Sequence, residues 1–220
     1  MQKENKKNLY FSIGMLAVFV LWTVLIQYID VRDIGPHNSS VGFSALNGFV
    51  HATTGVHMTL YNITDWLGLV PVTFALGFAT LGLIQWLKRK SIKKVDYSIL
   101  VLGGFYIVVM AVYLFFETVV INYRPVLING YLEASYPSST TILVMCVMTT
   151  AAMQLNSRIR NSILKQLVTS AITLFIAFMV IGRLVCGVHW FTDIIGGAML
   201  SSGLVMLYRF VSKIKTTPSV

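Results

Sequence analysis

Six stretches of this 220-residue chain are apolar over about the length that a bilayer demands: 10–29, 66–87, 98–120, 140–155, 167–185 and 191–210. A helix rises about 1.5 Å per residue, so roughly 20 residues cross a hydrocarbon core. No water is present there to satisfy backbone N–H and C=O groups, so each stretch is predicted to be helical. Only 11% of the residues are charged, against about 25% in an average soluble domain. The expected fold is therefore all-α: a polytopic membrane protein of six transmembrane helices forming one domain over 1–220. The first run follows several lysines, as a signal peptide would. It is long for such a segment, and no small-residue cleavage pattern follows "IQYIDVRD", so it is expected to stay as a helix.

The net charge of +9 would suggest a nucleic-acid partner in a soluble protein. Its distribution points elsewhere. With both termini placed in the cytoplasm, Lys3, Lys6, Lys7, Lys88, Arg89, Lys90, Lys93, Lys94, Arg158, Arg160, Lys165, Arg209, Lys213 and Lys215 all fall on the inner side, fourteen of the 17 basic residues. That is the asymmetry expected of inward loops. The basicity thus encodes orientation, and no nucleic acid is implied. Arg32, Arg124 and Arg183 remain outside, with six of the eight acids: Asp30, Asp33, Asp65, Glu117, Glu133 and Asp193. The unusual ionisable residues gather at one membrane face. Residues 30–65 are expected to form an amphipathic cap over that face.

Within this face, "GRLVCGVHWFTDIIGG" places Arg183, His189 and Asp193 in otherwise apolar sequence. Ionisable groups in such a setting are costly unless they are paired or line a wet cavity. A four-residue spacing would put His189 and Asp193 on one helix face, with a break at Gly187 just before it. A carboxylate on one imidazole nitrogen leaves the other free as a nucleophile or base. A structural His–Asp pair at a helix end explains the same spacing. Arg183 could snorkel to headgroups or grip a phosphate with its planar fork. In "NYRPVLINGYLEASYPSSTT", Arg124 follows the third run and Pro137-Ser138-Ser139-Thr140 opens the fourth. Serine and proline there are ordinary helix starters, and a helix N-terminus is also an anion site. Cys146 and Cys186 read as small buried hydrophobes.

Taken together, these residues resemble the type 2 phosphatidic acid phosphatase (PAP2) superfamily, whose pattern is Lys-x6-Arg-Pro, Pro-Ser-Gly-His and Ser-Arg-x5-His-x3-Asp. The third motif is kept at Arg183, His189 and Asp193, with Arg-Pro of the first and Pro-Ser of the second. The resemblance implies a PAP2-like helical bundle that hydrolyses a lipid phosphate or diphosphate, such as an isoprenoid diphosphate or phosphatidylglycerol phosphate. His189 would form a phosphohistidine, Asp193 would orient it, and Arg124, Arg183 and Ser138 would hold the phosphoryl oxygens. No cofactor or metal is implied, since arginines supply the charge. The implied partners are the phosphorylated lipid and the bilayer. Short basic loops point to a bacterial plasma membrane, with the site on the extracytoplasmic side.

The departures from that pattern are informative. Glu117 stands at the lysine position, Gly182 at the serine before Arg183, and Ser139 and Thr140 at the Gly-His that supplies the family's general acid. A threonine hydroxyl is too weak an acid for that task, so a diphosphate, whose leaving phosphate needs little protonation, is the expected substrate. His51 or His57 is the alternative acid. The competing reading is a PAP2-like protein that has lost turnover and binds or transports a phosphorylated lipid.

Overall fold

The computed structural model describes residues 2–214; Lys215 and the side chain of Lys3, both counted above among the inward charges, lie outside that description. Eight α-helices are present among the described residues: α1 (Gln2–Tyr28), α2 (Ser44–Thr54), α3 (Met58–Leu67), α4 (Leu69–Arg89), α5 (Tyr97–Thr118), α6 (Ser139–Arg158), α7 (Ser162–Val185) and α8 (Phe191–Ser212). Isolated β-bridges occur, but no strand.

Among the described residues, six helical spans are long and apolar enough to cross a membrane, and they are the six expected. Each begins or ends outside its apolar run, because hydropathy marks the part in hydrocarbon rather than the helix termini. The clearest case is α7, which starts five residues ahead of its run. There Asn161 Oδ1 accepts the Leu164 N–H at 2.9 Å, capping a donor that the helix cannot satisfy itself. The segment 30–65 holds α2 and most of α3. Helices α3 and α4 meet at Gly68, which keeps right-handed helical geometry, so Met58–Arg89 forms one 32-residue span. Pro71 is tolerated because it falls in the first turn of α4.

The bundle is centred on α6 and α8, which bury half of their most apolar 18-residue windows, whereas the other spans bury 11–22% and leave their apolar faces outward. Lipid, not water, suits those faces. Lipid-facing surfaces give no hydrophobic drive for association, so the centre is held by close packing and hydrogen bonds. At Gly203 of α8, an added Cβ would lie 2.8 Å from Leu16 of α1, and Ser12 Oγ donates to the Gly203 carbonyl at 2.8 Å. Tyr136, just before α6, shares a 2.7 Å hydrogen bond between its hydroxyl and Thr23 Oγ1.

Polar links then tie the two ends of the bundle. At one end Asn47 of α2 clips the start of α8, its Nδ2 donating to Thr192 Oγ1 at 3.0 Å and its Oδ1 accepting Thr192 N–H at 3.2 Å. At the other, Gln154 donates to the Tyr208 hydroxyl and to the Ser98 carbonyl, and Arg89 pairs with Asp96 at 2.9 Å. Asn5 reaches the Phe210 carbonyl at this second end. Lys88, Arg89, Arg158 and Arg209 therefore collect together, opposite the capped start of α8.

Between α7 and α8 the chain turns at Gly187 with φ +69°, a conformation that favours glycine, and a Cβ there would collide with the Gly55 carbonyl of the α2–α3 connection. His57 N–H donates across the same contact to the Cys186 carbonyl at 3.0 Å. Replacing Gly187 with alanine is therefore expected to lower the melting temperature of the detergent-purified protein by several degrees, from about 1–2 kcal/mol of backbone strain plus the clash. Gly77→Ala, where no heavy atom lies within 4 Å of the new Cβ, is the control expected to leave it unchanged. Differential scanning fluorimetry would decide, and equal melting of both variants would refute the account.

Candidate active site

Three loops and two helix ends converge beside the start of α8. Arg183 comes from the last turn of α7, and His189 from the turn that follows. The connection between α5 and α6 folds back on itself. Arg124 N–H donates to the Glu133 carbonyl at 3.0 Å and Ser135 N–H to the Asn122 carbonyl at 2.9 Å. That fold-back sets Asn122, Arg124 and Ser135 next to one another.

His189 and Asp193 do not share a helix face. His189 precedes the N-cap residue Trp190, and Asp193 sits at the third position of α8. There the Asp193 carboxylate does what acids do at helix starts: Oδ2 accepts the Trp190 N–H at 2.8 Å. Its distance to His189 Nδ1 is 3.8 Å, too long for a hydrogen bond. Ser135 closes the gap, with Oγ 2.5 Å from Asp193 Oδ2 and 3.0 Å from His189 Nδ1. Asn122 Nδ2 donates to the other carboxylate oxygen at 3.3 Å.

The direction of this chain follows from the donors available. An ionised carboxylate only accepts, so the single Ser135 proton goes to Asp193. The serine lone pair then receives the proton on His189 Nδ1, which leaves a lone pair on Nε2. That nitrogen is buried and has no hydrogen-bond partner. Burial, reinforced by the Arg124 and Arg183 guanidiniums, pushes the His189 pKa down to about 4 against the pull of Asp193. The imidazole is neutral at physiological pH.

The arginines are buried too, Arg183 to 1% exposure and Arg124 to 8%. Arg183 NH1 donates to Thr64 Oγ1 at 3.3 Å and lies 3.8 Å from Asp65, while its Nε has no partner. Its guanidinium carbon stands 4.9 Å from the centre of the Tyr61 ring. Arg124 Nε is 3.1 Å from Glu133 Oε2 but is not aligned to donate, and its NH1 is also unpartnered. Both arginines line a polar cavity of about 590 Å³, whose wall includes Glu117, Glu133 and Thr140. A second, apolar cavity of about 420 Å³ runs between α4, α5 and α6 past Leu69, Val109 and Leu143. The two share Asp65, Tyr113, Ser139 and Thr140.

Several sequence expectations shift. Ser138 is fully buried as the α6 N-cap, its Oγ accepting from Thr141 N–H at 3.4 Å and Oγ1 at 3.0 Å, so Ser139 and Thr140 face the cavity in its stead. The first-turn amides of Ser139 and Thr140 have no acceptor inside their own helix. Neither His51 nor His57 lines the cavity, and the buried His189 is not among its lining residues either: His57 Nε2 contacts the Thr54 carbonyl at 2.8 Å, and the His51 ring lies 5.5 Å from that of Trp190. Ser135 and Asn122 were missed, and no motif or spacing marks either of them. Glu133 and Asp65, not Glu117, are the carboxylates beside the arginines.

Residues 115–215 match the family model described as PAP2 superfamily, a stretch that contains the cluster except Tyr61, Thr64, Asp65 and Tyr113. The fold agrees over a longer span. The crystal structure described as the first transmembrane PAP2 type phosphatidylglycerolphosphate phosphatase from Bacillus subtilis superposes with a TM-score of 0.64, covering 95% of this chain and 100% of that chain at 18% identity. At that identity the likeness speaks for the fold. No curated protein matches the chain by sequence. The chain thus has the fold of that PAP2 type structure, with six spans suited to a multi-pass membrane protein among the described residues.

The histidine geometry makes a measurable prediction. His189 carries its proton on Nδ1 and stays neutral as pH falls from 6.5 to 5, because its folded pKa of about 4 lies below the ordinary 6.5. The unfolded chain takes up that proton first, so this residue's contribution to stability is lost as pH falls through the same window. Nitrogen NMR of histidine-labelled protein, assigned with His189→Ala, would read both the tautomer and the titration; protonation near 6.5 would contradict this arrangement.

Proposed function

We propose that the protein is a membrane phosphatase that hydrolyses a lipid phosphate or diphosphate through a phosphohistidine on His189, with the site on the extracytoplasmic side. The observation that carries this reading is the unpartnered, buried Nε2 of a neutral imidazole, oriented from behind and set near two arginines with unsatisfied N–H groups. Buried ring nitrogens are ordinarily hydrogen-bonded, so a free Nε2 beside two arginines calls for a ligand. The gathering of basic residues at the opposite end supports the orientation, and the PAP2 match supports the chemical class.

The chemistry follows from the donors and charges present. A phosphoryl group held by Arg124 and Arg183 gains charge-assisted hydrogen bonds from N–H groups that are otherwise unsatisfied. His189 Nε2 forms a bond to phosphorus while the bond from phosphorus to the leaving oxygen breaks, the electron pair departing with that oxygen. The imidazole becomes cationic. Ser135 and Asp193 stabilise that charge through the Nδ1–H, as the serine passes the carboxylate's pull to the ring. Water then attacks phosphorus, the N–P bond returns its pair to Nε2, and phosphate leaves.

No histidine is among the residues lining this cavity, so no imidazole on its wall is in place to protonate a leaving oxygen, which favours a group able to depart without a strong acid. A diphosphate meets that need. The expected outcome is that purified protein releases phosphate from a lipid diphosphate at least about tenfold faster than from the monophosphate of the same chain. His189→Ala should abolish release, a loss of at least about 10⁴-fold. Ser135→Ala should cost about 10–100-fold in kcat with little change in KM, and Ser135→Thr should restore part of it, because the hydroxyl orients the nucleophile and does not touch substrate. Phosphate release that survives His189→Ala would sink the nucleophile assignment. Lipid binding without release by the wild type would favour the alternative, a binding or transport protein.

A further inference from the structure

The cavity beside the arginines carries more negative charge than an anion site needs. Of its three carboxylates, Asp65 lies 3.8 Å from Arg183 and Glu133 lies 3.1 Å from Arg124. Glu117 is different: it lines the same cavity and makes no ion pair among the described residues. Tyr113 stands one helical turn before it on α5 and interacts with it, and Tyr123 lines the same cavity. A carboxylate without an ion pair on this wall, with Tyr113 beside it, repels a phosphate. It suits an organic cation, which draws on both the negative charge and the ring faces.

The position of this group within the lipid path narrows the ligand. Tyr113 and Asp65 belong to both cavities, at the place where the polar chamber passes into the apolar groove. A phosphate held by the buried, unpartnered N–H groups of Arg124 and Arg183 would send its chain across this junction into the groove between α4, α5 and α6. An ammonium a few bonds from phosphorus would then fall beside Glu117 and Tyr113. A plain acyl or isoprenyl chain running into the groove would leave that carboxylate, on the wall of the polar chamber, without a cationic partner.

We infer that Glu117, with Tyr113 and Tyr123, forms an ammonium subsite, and that the preferred ligand is a zwitterionic lipid phosphate with an amino group within a few bonds of phosphorus. This rests on the reading of the cavity as a lipid-phosphate site, though not on turnover. The amine can come from two sources with the same local chemistry: the lipid chain itself, as in a long-chain amino alcohol phosphate, or an aminoethyl headgroup esterified to the phosphate.

Binding of non-hydrolysable phosphonates tests the subsite without reference to catalysis. Detergent-purified full-length protein would be titrated calorimetrically, in EDTA, with tetradecylphosphonate, the same chain carrying an amino group on its second carbon, its N-acetylated form, and the aminoethyl ester of tetradecylphosphonate. At least one amine-bearing probe is expected to bind roughly tenfold tighter than the plain chain, and the one that does so identifies the source. Acetylation should remove the gain. Glu117→Gln should abolish it while binding the plain phosphonate as tightly as wild type or tighter, and Glu117→Asp should retain part of it. Equal binding of all probes by the wild type would overturn the inference, as would a preference that survives Glu117→Gln or N-acetylation. Tighter binding of the plain chain on adding Mg²⁺, lost in Glu117→Gln, would assign the carboxylate to a metal ion instead. Phosphate release is scored separately with His189→Ala, so a failed amine preference leaves the phosphatase reading intact, and absent turnover leaves the amine preference measurable.

Discussion

Two guanidinium groups lie buried at one end of a bundle otherwise built for hydrocarbon, and neither has all its N–H groups satisfied. An isolated buried cation costs several kcal/mol, and each unpaired donor adds to that cost. The carboxylates nearby offset it only in part: Asp65 is mostly exposed and stands 3.8 Å away, and Glu133 is poorly aligned with Arg124. The rest of the site can be understood as the frame that keeps this deficit in place. Thr64 and Tyr61 of α3 hold Arg183 from one side, the fold-back after α5 fixes Arg124, and α6 begins alongside. An arriving dianion is what the deficit lacks.

Asp193 shows how the frame and the chemistry share atoms. One carboxylate caps α8 through Trp190 N–H, anchors Ser135 and receives Asn122. The structural role that helix-end carboxylates ordinarily have and the orienting role that a nucleophilic imidazole needs are therefore not alternatives. They are the same hydrogen bonds seen from two sides. Because the cap fixes the carboxylate before any ligand arrives, the imidazole is held in one tautomer without further ordering.

How much of this can be seen in one dimension depends on how far apart the interacting residues lie. The six long helices are visible in the hydropathy because the bilayer imposes its length on each of them independently. Arg183, His189 and Asp193 are visible because a single turn and helix start places them within eleven residues. Ser135 is not: it lies 54 residues from His189 and 58 from Asp193, and a serine in a loop carries no periodic signal. The four-residue spacing that suggested a direct His–Asp contact gave the right partners for the wrong geometry, since the helix begins between them. Ser138 likewise matched its motif position, and local capping then claimed its hydroxyl. Glu117 was conspicuous as a departure, but only the cavity shows that its nearest company is aromatic.

The contact at Gly187 bears on what kind of object the α2–α3 segment is. Its connection presses on the turn that carries the histidine so closely that no side chain fits between, and a backbone hydrogen bond from His57 to Cys186 rivets the two. Asn47 binds the start of α8 from the same segment. Any opening of this segment would have to break these links and would drag the turn that carries His189 with it. The segment is better described as masonry than as a door. On the proposed lipid-phosphate reading, entry is then left to the flank between α4 and α5, where the apolar groove runs, sideways from the membrane and not from the water above.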